Sequence, residues 1–339
     1  MSLSIKRLEE VDAKAVSDYL SDYGLEAAVI RWKYFDDEFN QGRNRGYVAL
    51  KENRPVGFIG LIPFTASDRG RLIETAWTCD WSVAGDESNR TLGVAVLQKA
   101  LRAFPSVFHV GGNHLTRRVF DRLANTVNAD GVLDYVLPLR LSAVIHKAAR
   151  RVRFLKHLNR TPVARLPVRR VGRVRADDGV EVTAGLDERF VEVTSRRPGA
   201  PTFFPVYDSS YIDWQIGRCP VLDSYSFVGR GGAAALAWHL ARNGREWRFA
   251  ISASSSEADD RRAVLGSVIR FAYANGADTL RATAAKSDSE TRALLSEAAF
   301  LLNGYRPFYA FHAAQDRHAY DEPWGLSFLD CDEATIRLR

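Results

Sequence analysis

The 339-residue sequence predicts a mixed α/β protein of two similar halves, each a mostly antiparallel central sheet flanked by helices. Three observations predict it. The length exceeds one average domain and suits two of about 150 residues. Hydrophobic residues make up 46% and charged residues 26%, the balance of a globular chain, which excludes wholesale disorder. The same order of strand-like and helix-like segments also occurs twice, roughly 170 to 180 residues apart.

In the first half, Ile30, Arg31 and Trp32 precede a strand-like run from Gly46 to Leu50. A turn over Glu52 to Pro55 leads to a second strand, Val56 to Ile62. In the second half, Ile212, Asp213 and Trp214 precede Ser224 to Val228, and the turn Gly229 to Gly232 leads to Ala233 to Leu240. Each pair reads as a hairpin, with turn residues between runs of β-branched and aromatic side chains. A further strand follows in each half, Glu74 to Val83 and Glu246 to Ala253, and then a helix, Arg90 to Phe104 and Asp259 to Asn275. In the first helix Gly93, Val96, Leu97, Ala100, Leu101 and Phe104 share one face at helical spacing. Short strands (Ser106 to Val110, Thr279 to Thr283) and further helices (Leu115 to Asn125, Ser287 to Ala298) complete the repeat.

Several classes of function are excluded. No run approaches the roughly 20 apolar residues of a membrane-spanning helix, and the start lacks the layout of a secretory signal. Cys79, Cys219 and Cys331 are far apart and form no Cys-x-x-Cys pair, which argues against a disulfide framework or zinc site and for a reducing cytoplasm. The seven histidines show no metal-ligand spacing. There is no Gly-x-Ser-x-Gly elbow and no Gly-x-x-x-x-Gly-Lys-Ser/Thr loop.

The net charge of +6 belongs to one segment, because Lys147 to Arg175 holds eleven Lys or Arg and no acidic residue, leaving −5 elsewhere. With Pro162 and Pro167 near mid-chain, it reads as a connector over residues 146–178 between an N-terminal domain (1–145) and a C-terminal domain (179–339). A basic connector could recruit an anion, but only Phe154 interrupts it, so base stacking and nucleic-acid binding are not expected.

The most informative stretch is Asp80 to Leu101. A strand ends near Val83, a polar loop follows, and a helix opens with Arg90-x-x-Gly93-x-Ala95. Small residues in a first helical turn let backbone approach a ligand, and the N–H groups there favour phosphate or pyrophosphate. This pattern resembles the acetyl-CoA signature of the GCN5-related N-acetyltransferase (GNAT) superfamily, and the duplication resembles its tandem proteins. Arg31 to Tyr34 and Trp324 to Ser327 also resemble a bacterial subgroup linked to polysaccharide biosynthesis. The resemblance implies acetyl-CoA as co-substrate, held by Val83, Arg90, Thr91, Leu92, Gly93, Val94 and Ala95, with Asn113 as a further CoA contact. It implies a small-molecule amine acceptor, an amino sugar in that subgroup.

The chain departs from the family pattern in three places. The loop before Arg90 is about two residues long in excess and carries Asp86 and Glu87, charges that repel pyrophosphate unless turned away. Phe120 stands where a tyrosine general acid is common. Arg262 and Gly266 in the second half are one residue too far apart, so that half is expected to have lost acetyl-CoA binding.

Direct acyl transfer needs a base for the amine and no protein nucleophile. Strand alternation places Glu74 and Asp80 on one face beside the helix start, opposite Trp77 and Trp81. Asp80 is the preferred base and Glu74 the reserve. Tyr207, Tyr211 and Trp214 are candidates for an acceptor cleft between the halves. Two other functions fit the same residues: a Fem-like aminoacyl or acyl transferase, and a non-catalytic GNAT-fold protein that binds an anion through its connector.

Overall fold

The computed structural model describes residues 3–68, 70–85, 90–123, 126–149, 179–195, 203–253 and 258–312. The Asp86–Glu87 loop, the Arg90 side chain, the connector beyond residue 149, Trp324 to Ser327 and Cys331 lie outside the described residues.

The first half comprises β1 (Leu3–Arg7), α1 (Ala13–Asp22), α2 (Ala27–Phe35), α3 (Asp37–Asn40), β2 (Gly46–Lys51), β3 (Arg54–Asp68), β4 (Arg71–Val83), α4 (Arg90–Leu101), β5 (Ser106–Val110), α5 (His114–Phe120), β6 (Thr126–Pro138) and α6 (Leu141–Ala149). The second half comprises β7 (Glu181–Ala184), α7 (Glu188–Ser195), β8 (Phe203–Val206), α8 (Ser209–Ile212), β9 (Leu222–Val228), β10 (Ala233–Leu240), β11 (Asn243–Ala253), α9 (Ala258–Ala274), β12 (Thr279–Ala285), α10 (Ser289–Glu297) and β13 (Leu301–His312). Helix α8 runs on as a π-helix over Asp213–Gly217.

Local chemistry explains several boundaries. Glu52 and Asn53 both take positive φ (53° and 64°), so two residues suffice to join β2 and β3 with the twist that a tight hairpin requires. Asp12 caps α1 by accepting from the Ala15 N–H at 2.9 Å. In α4, Leu92, Val96, Leu97 and Ala100 are buried while Gln98 and Lys99 face water, which seats the helix on the sheet by one stripe.

The strands form one continuous sheet in the order β1-β2-β3-β4-β5-β13-β6-β12-β11-β10-β9-β7, with β8 added along β3. Among the described strands, only β4–β5 and β11–β12 pair in parallel. Read inward from either edge, the two halves repeat the same order, except that each gives its last strand to the other. Strand β13 pairs β5, β6 pairs β12, and the two exchanged strands pair antiparallel at the centre.

The cores follow this arrangement. On one face a single apolar core joins both halves, from Trp32, Tyr34 and Trp77 to Tyr211, Trp214 and Trp238. On the other face each half has its own, under α4 (Val96, Leu97, Phe120) and under α9 (Val264, Leu265, Val268). The shared core contains the repeated tryptophans. Trp32 and Trp214 stack with ring centroids 4.8 Å apart. Each indole N–H donates to the other's carbonyl, at 2.8 and 3.3 Å.

Candidate active site

Strands β4 and β5 pair over three residues only, Thr75 to Trp77 against Ser106 to Phe108. Beyond Trp77 the two strands no longer pair by backbone. The pairing of β4 with β3 is irregular just beyond that point. Phe58 faces Ser82 and Gly60 faces Cys79, so Asp80 and Trp81 together oppose Ile59. That extra residue is a β-bulge, which bends a strand and re-aims its side chains. Asp80 takes φ of +48°, a left-handed conformation that Asp tolerates better than most residues.

The bulge changes which way Asp80 points. Ala76 belongs to the core under α4, whereas Trp77 and Cys79 belong to the shared core on the other face. Asp80 follows Cys79 onto that second face, where its Oδ2 accepts from the Lys33 ammonium at 2.6 Å and the Tyr34 hydroxyl at 2.5 Å. The Tyr34 hydroxyl also lies 3.4 Å from Cys79 Sγ. Trp81 turns the opposite way and packs against Phe120, with centroids 6.0 Å apart. The expectation of one face for Glu74 and Asp80, opposite both tryptophans, is therefore corrected: alternation fails at the bulge. Glu74 is an exposed residue opposite Thr65.

Lys33 and Tyr34 lie in the Arg31 to Tyr34 stretch already singled out, but no contact with Asp80 was expected of them. The Lys33 side chain is only 3% exposed and Asp80 18%, so this is a nearly buried ion pair reinforced by a short hydroxyl bond. Helix α2 supplies both partners, since Lys33 and Tyr34 are consecutive and buried near its end. Gly60 makes room for them: a Cβ there would press on the Tyr34 hydroxyl and fall 2.8 Å from Cys79 Sγ. The sequence signal was a lysine inside the apolar run Ala27–Phe35, a place lysine rarely occupies unless paired.

The remaining expected residues are placed as follows. Val83 ends β4, and Thr91 to Ala95 form the first turns of α4, which has no acidic residue in its opening turn. Thr91 is exposed, Leu92 is buried inward, and Val94 and Ala95 are half-buried. A Cβ on Gly93 would come within 2.8 Å of Val83 Cγ2, so this glycine serves close packing of α4 on β4. Asn113 caps α5, its Oδ1 accepting from the N–H groups of Leu115 (2.9 Å) and Thr116 (3.0 Å). Its oxygen serves the turn. Tyr207, Tyr211 and Trp214 are buried in the shared core.

The second half has a parallel pair of the same length but lacks the bulge, the carboxylate and its two partners. Its parallel pair, Glu246 to Arg248 against Thr279 to Arg281, matches Thr75 to Trp77 against Ser106 to Phe108, which puts Ile251 in the place of Asp80. The β10–β11 register is unbroken from Ala233–Ala253 to His239–Trp247, so no bulge forms there. Following Trp214, Gln215 and Ile216 replace Lys33 and Tyr34. The first turn of α9 carries Asp259 and Asp260. The Asp260 carboxylate accepts from the Ala233 N–H at 2.5 Å and lies against Gly229 and Gly231.

The tandem GNAT fold is also what solved structures share with this chain. A tandem GNAT protein from the clavulanic acid biosynthesis pathway matches with a TM-score of 0.54 at 13% identity, covering 93% of this chain and all of that one. N-Myristoyltransferase of Saccharomyces cerevisiae with bound myristoyl-CoA matches with 0.55 at 12% identity, over 91% and 78% of the two chains. A GCN5-related N-acetyltransferase from Kribbella flavida matches with 0.53 at 15%, over 91% and 71%. No family model and no curated protein matches the sequence. Among the described residues, no helix is long and apolar enough to cross a membrane and no cluster of potential metal ligands occurs.

Proposed function

We propose that the chain is an acyl-CoA-dependent N-acyltransferase whose site lies in the first half, where β4 and β5 part. One observation carries this reading: the bulge, the αL carboxylate and its two buried partners are built at that parting and absent from the matching place in the second half. Similarity in fold to a protein whose structure holds myristoyl-CoA supports it.

Acetyl-CoA supplies the activated acyl group. The backbone of Thr91 to Ala95, with Val83 at the strand end, would hold it, since first-turn N–H groups and the helix dipole favour phosphate. The acceptor is a small-molecule amine. Asp80 takes the amine's proton as nitrogen bonds to the acyl carbon; the carbon–sulfur bond breaks, and that proton passes from the Asp80 carboxyl to the departing thiolate. Lys33 and Tyr34 hold the Asp80 carboxylate in one orientation, both bonds converging on Oδ2. Residues 1–145 carry the site on this reading, while residues 179–339 support it through Trp214 and β13.

Calorimetric titration with acetyl-CoA tests binding. Thr91→Glu is the control variant, because Thr91 is exposed and a charge there leaves the α4–β4 packing intact. Binding in the parent protein that weakens about 10-fold or more in the variant supports the reading. No binding of acetyl-CoA, CoA or longer acyl-CoAs overturns it. Asp80→Asn tests the base. Asn also tolerates the αL backbone, so acyl-CoA binding should persist while turnover falls by about 10²- to 10⁴-fold.

A further inference from the structure

Arg45 lies just before β2 and is only 2% exposed. Its Nη2 donates to the Lys33 carbonyl at the end of α2. The guanidinium lies over the ring of Phe39 at 5.2 Å and over that of Trp214, from the second half, at 4.7 Å. Its Nε and Nη1 are buried without a hydrogen-bond partner among the described residues. Aromatic faces attract a cation but do not replace in-plane acceptors.

The charge balance around it is uneven. Lys33 and Asp80 neutralise one another, and Arg43 sits over the same Phe39 ring at 4.8 Å. Burial lowers the Arg45 pKa to about 10, with only Cys79, Tyr34 and Tyr211 acting to raise it and Arg43 acting against it. A buried cation with unused donors is costly in the absence of an anion. Lys33, whose carbonyl accepts from Arg45, also donates its ammonium to Asp80.

We infer that Arg45 receives an anionic group of the acceptor, a carboxylate or phosphate a few atoms from the amine that Asp80 deprotonates. The inference rests on the acyl-transfer reading and narrows its substrate class to amines bearing an acid. The anion would supply the acceptors that Nε and Nη1 need.

The test compares paired amines with the unaltered protein and acetyl-CoA, following CoA release. One pair is an α-amino acid and its decarboxylated amine; the other is glucosamine 6-phosphate and glucosamine. In the pair that carries the right anion, the acidic member should have kcat/KM about 10- to 100-fold higher. The pair that shows this also tells carboxylate from phosphate. Arg45→Met should bring the acidic member down to the neutral one, and Arg45→Lys, which keeps the charge, should retain part of the preference. Equal rates within both pairs overturn the inference. If no amine releases CoA, the acyl-transfer reading fails, and calorimetry with the same compounds decides the anion site alone. Heat from an acidic member with none from its neutral partner sustains the site; no heat from either overturns it.

Discussion

At the scale of single residues, the site depends on how tightly Tyr34, Cys79 and Gly60 fit around Asp80. Gly60→Ala would push a methyl into the Tyr34 hydroxyl and Cys79 Sγ. The expected result is a loss of about 1 to 3 kcal/mol in denaturant unfolding together with a fall in turnover, because Tyr34 must move off Asp80. Unchanged turnover in a folded Gly60→Ala protein would separate Tyr34 from the chemistry. Cys219, in the same core, gives a prediction with a pH sign. Burial raises its thiol pKa from 9.0 to about 11. The unfolded thiol ionises first, so the folded protein holds the extra proton between those values. Stability from this group is complete below pH 9 and is lost as pH rises toward 11, by roughly 2 to 3 kcal/mol. Cys219→Ser should flatten that part of the stability–pH curve, and identical slopes would refute the assignment. Asp80 was legible in the sequence because it ends a strand before a helix with small residues in its first turn. Its orientation was not, since no Gly or Pro marks the bulge and strict alternation gives the wrong face. Arg45 carried no motif at all; only its surroundings in three dimensions make it notable.

Elements show a similar division. Strands with a clean alternating or apolar pattern, such as Ala233–Leu240 and Ser106–Val110, have the bounds that their residues predict. The exchanged strands do not. Strand β6 contains Asn128, Asp130, Gly131 and Asp134, and β13 contains Asn303, Gly304 and Pro307, residues that weaken any strand reading. Their pairing partners lie 141 (Pro138–Thr279) to 206 (Ser106–His312) residues away, beyond the reach of local pattern. What holds them includes an ion pair between Arg306 and Asp134 at 2.7 Å, with side chains 15% and 13% exposed. Arg306→Met would leave a largely buried carboxylate at the centre of the sheet. A loss of about 3 kcal/mol is expected from chemical denaturation, and the double change with Asp134→Leu should recover much of it. If the single variant costs less than about 0.5 kcal/mol, the pair is not what secures the exchange.

For the whole molecule, the repeat seen in sequence is a repeat in space, but not two separable units. Trp32 and Trp214 were recognisable as equivalent positions from their shared Ile-x-Trp context, and they meet across the junction with reciprocal hydrogen bonds. Further contacts cross it: Arg218 reaches Glu38 at 2.6 Å, and Arg242 pairs with Glu26. The exchange of β6 and β13 makes the dependence covalent in order as well as physical in contact. A first half expressed alone would carry β6 with no β12 to pair and would leave the β5 edge, from Ser106 to Val110, uncovered. The shared core would also open, exposing Trp32, Phe39 and Tyr34 to water. Residues 1–145 and 179–339 produced separately should therefore aggregate or remain unfolded. Produced together, they should associate into one soluble complex with strong protection of β6 and β13 amides from hydrogen exchange. Two halves that each fold as soluble monomers with native circular dichroism would show that the exchange is dispensable. The second half would then no longer be needed to cover Arg45 and brace the site of the first.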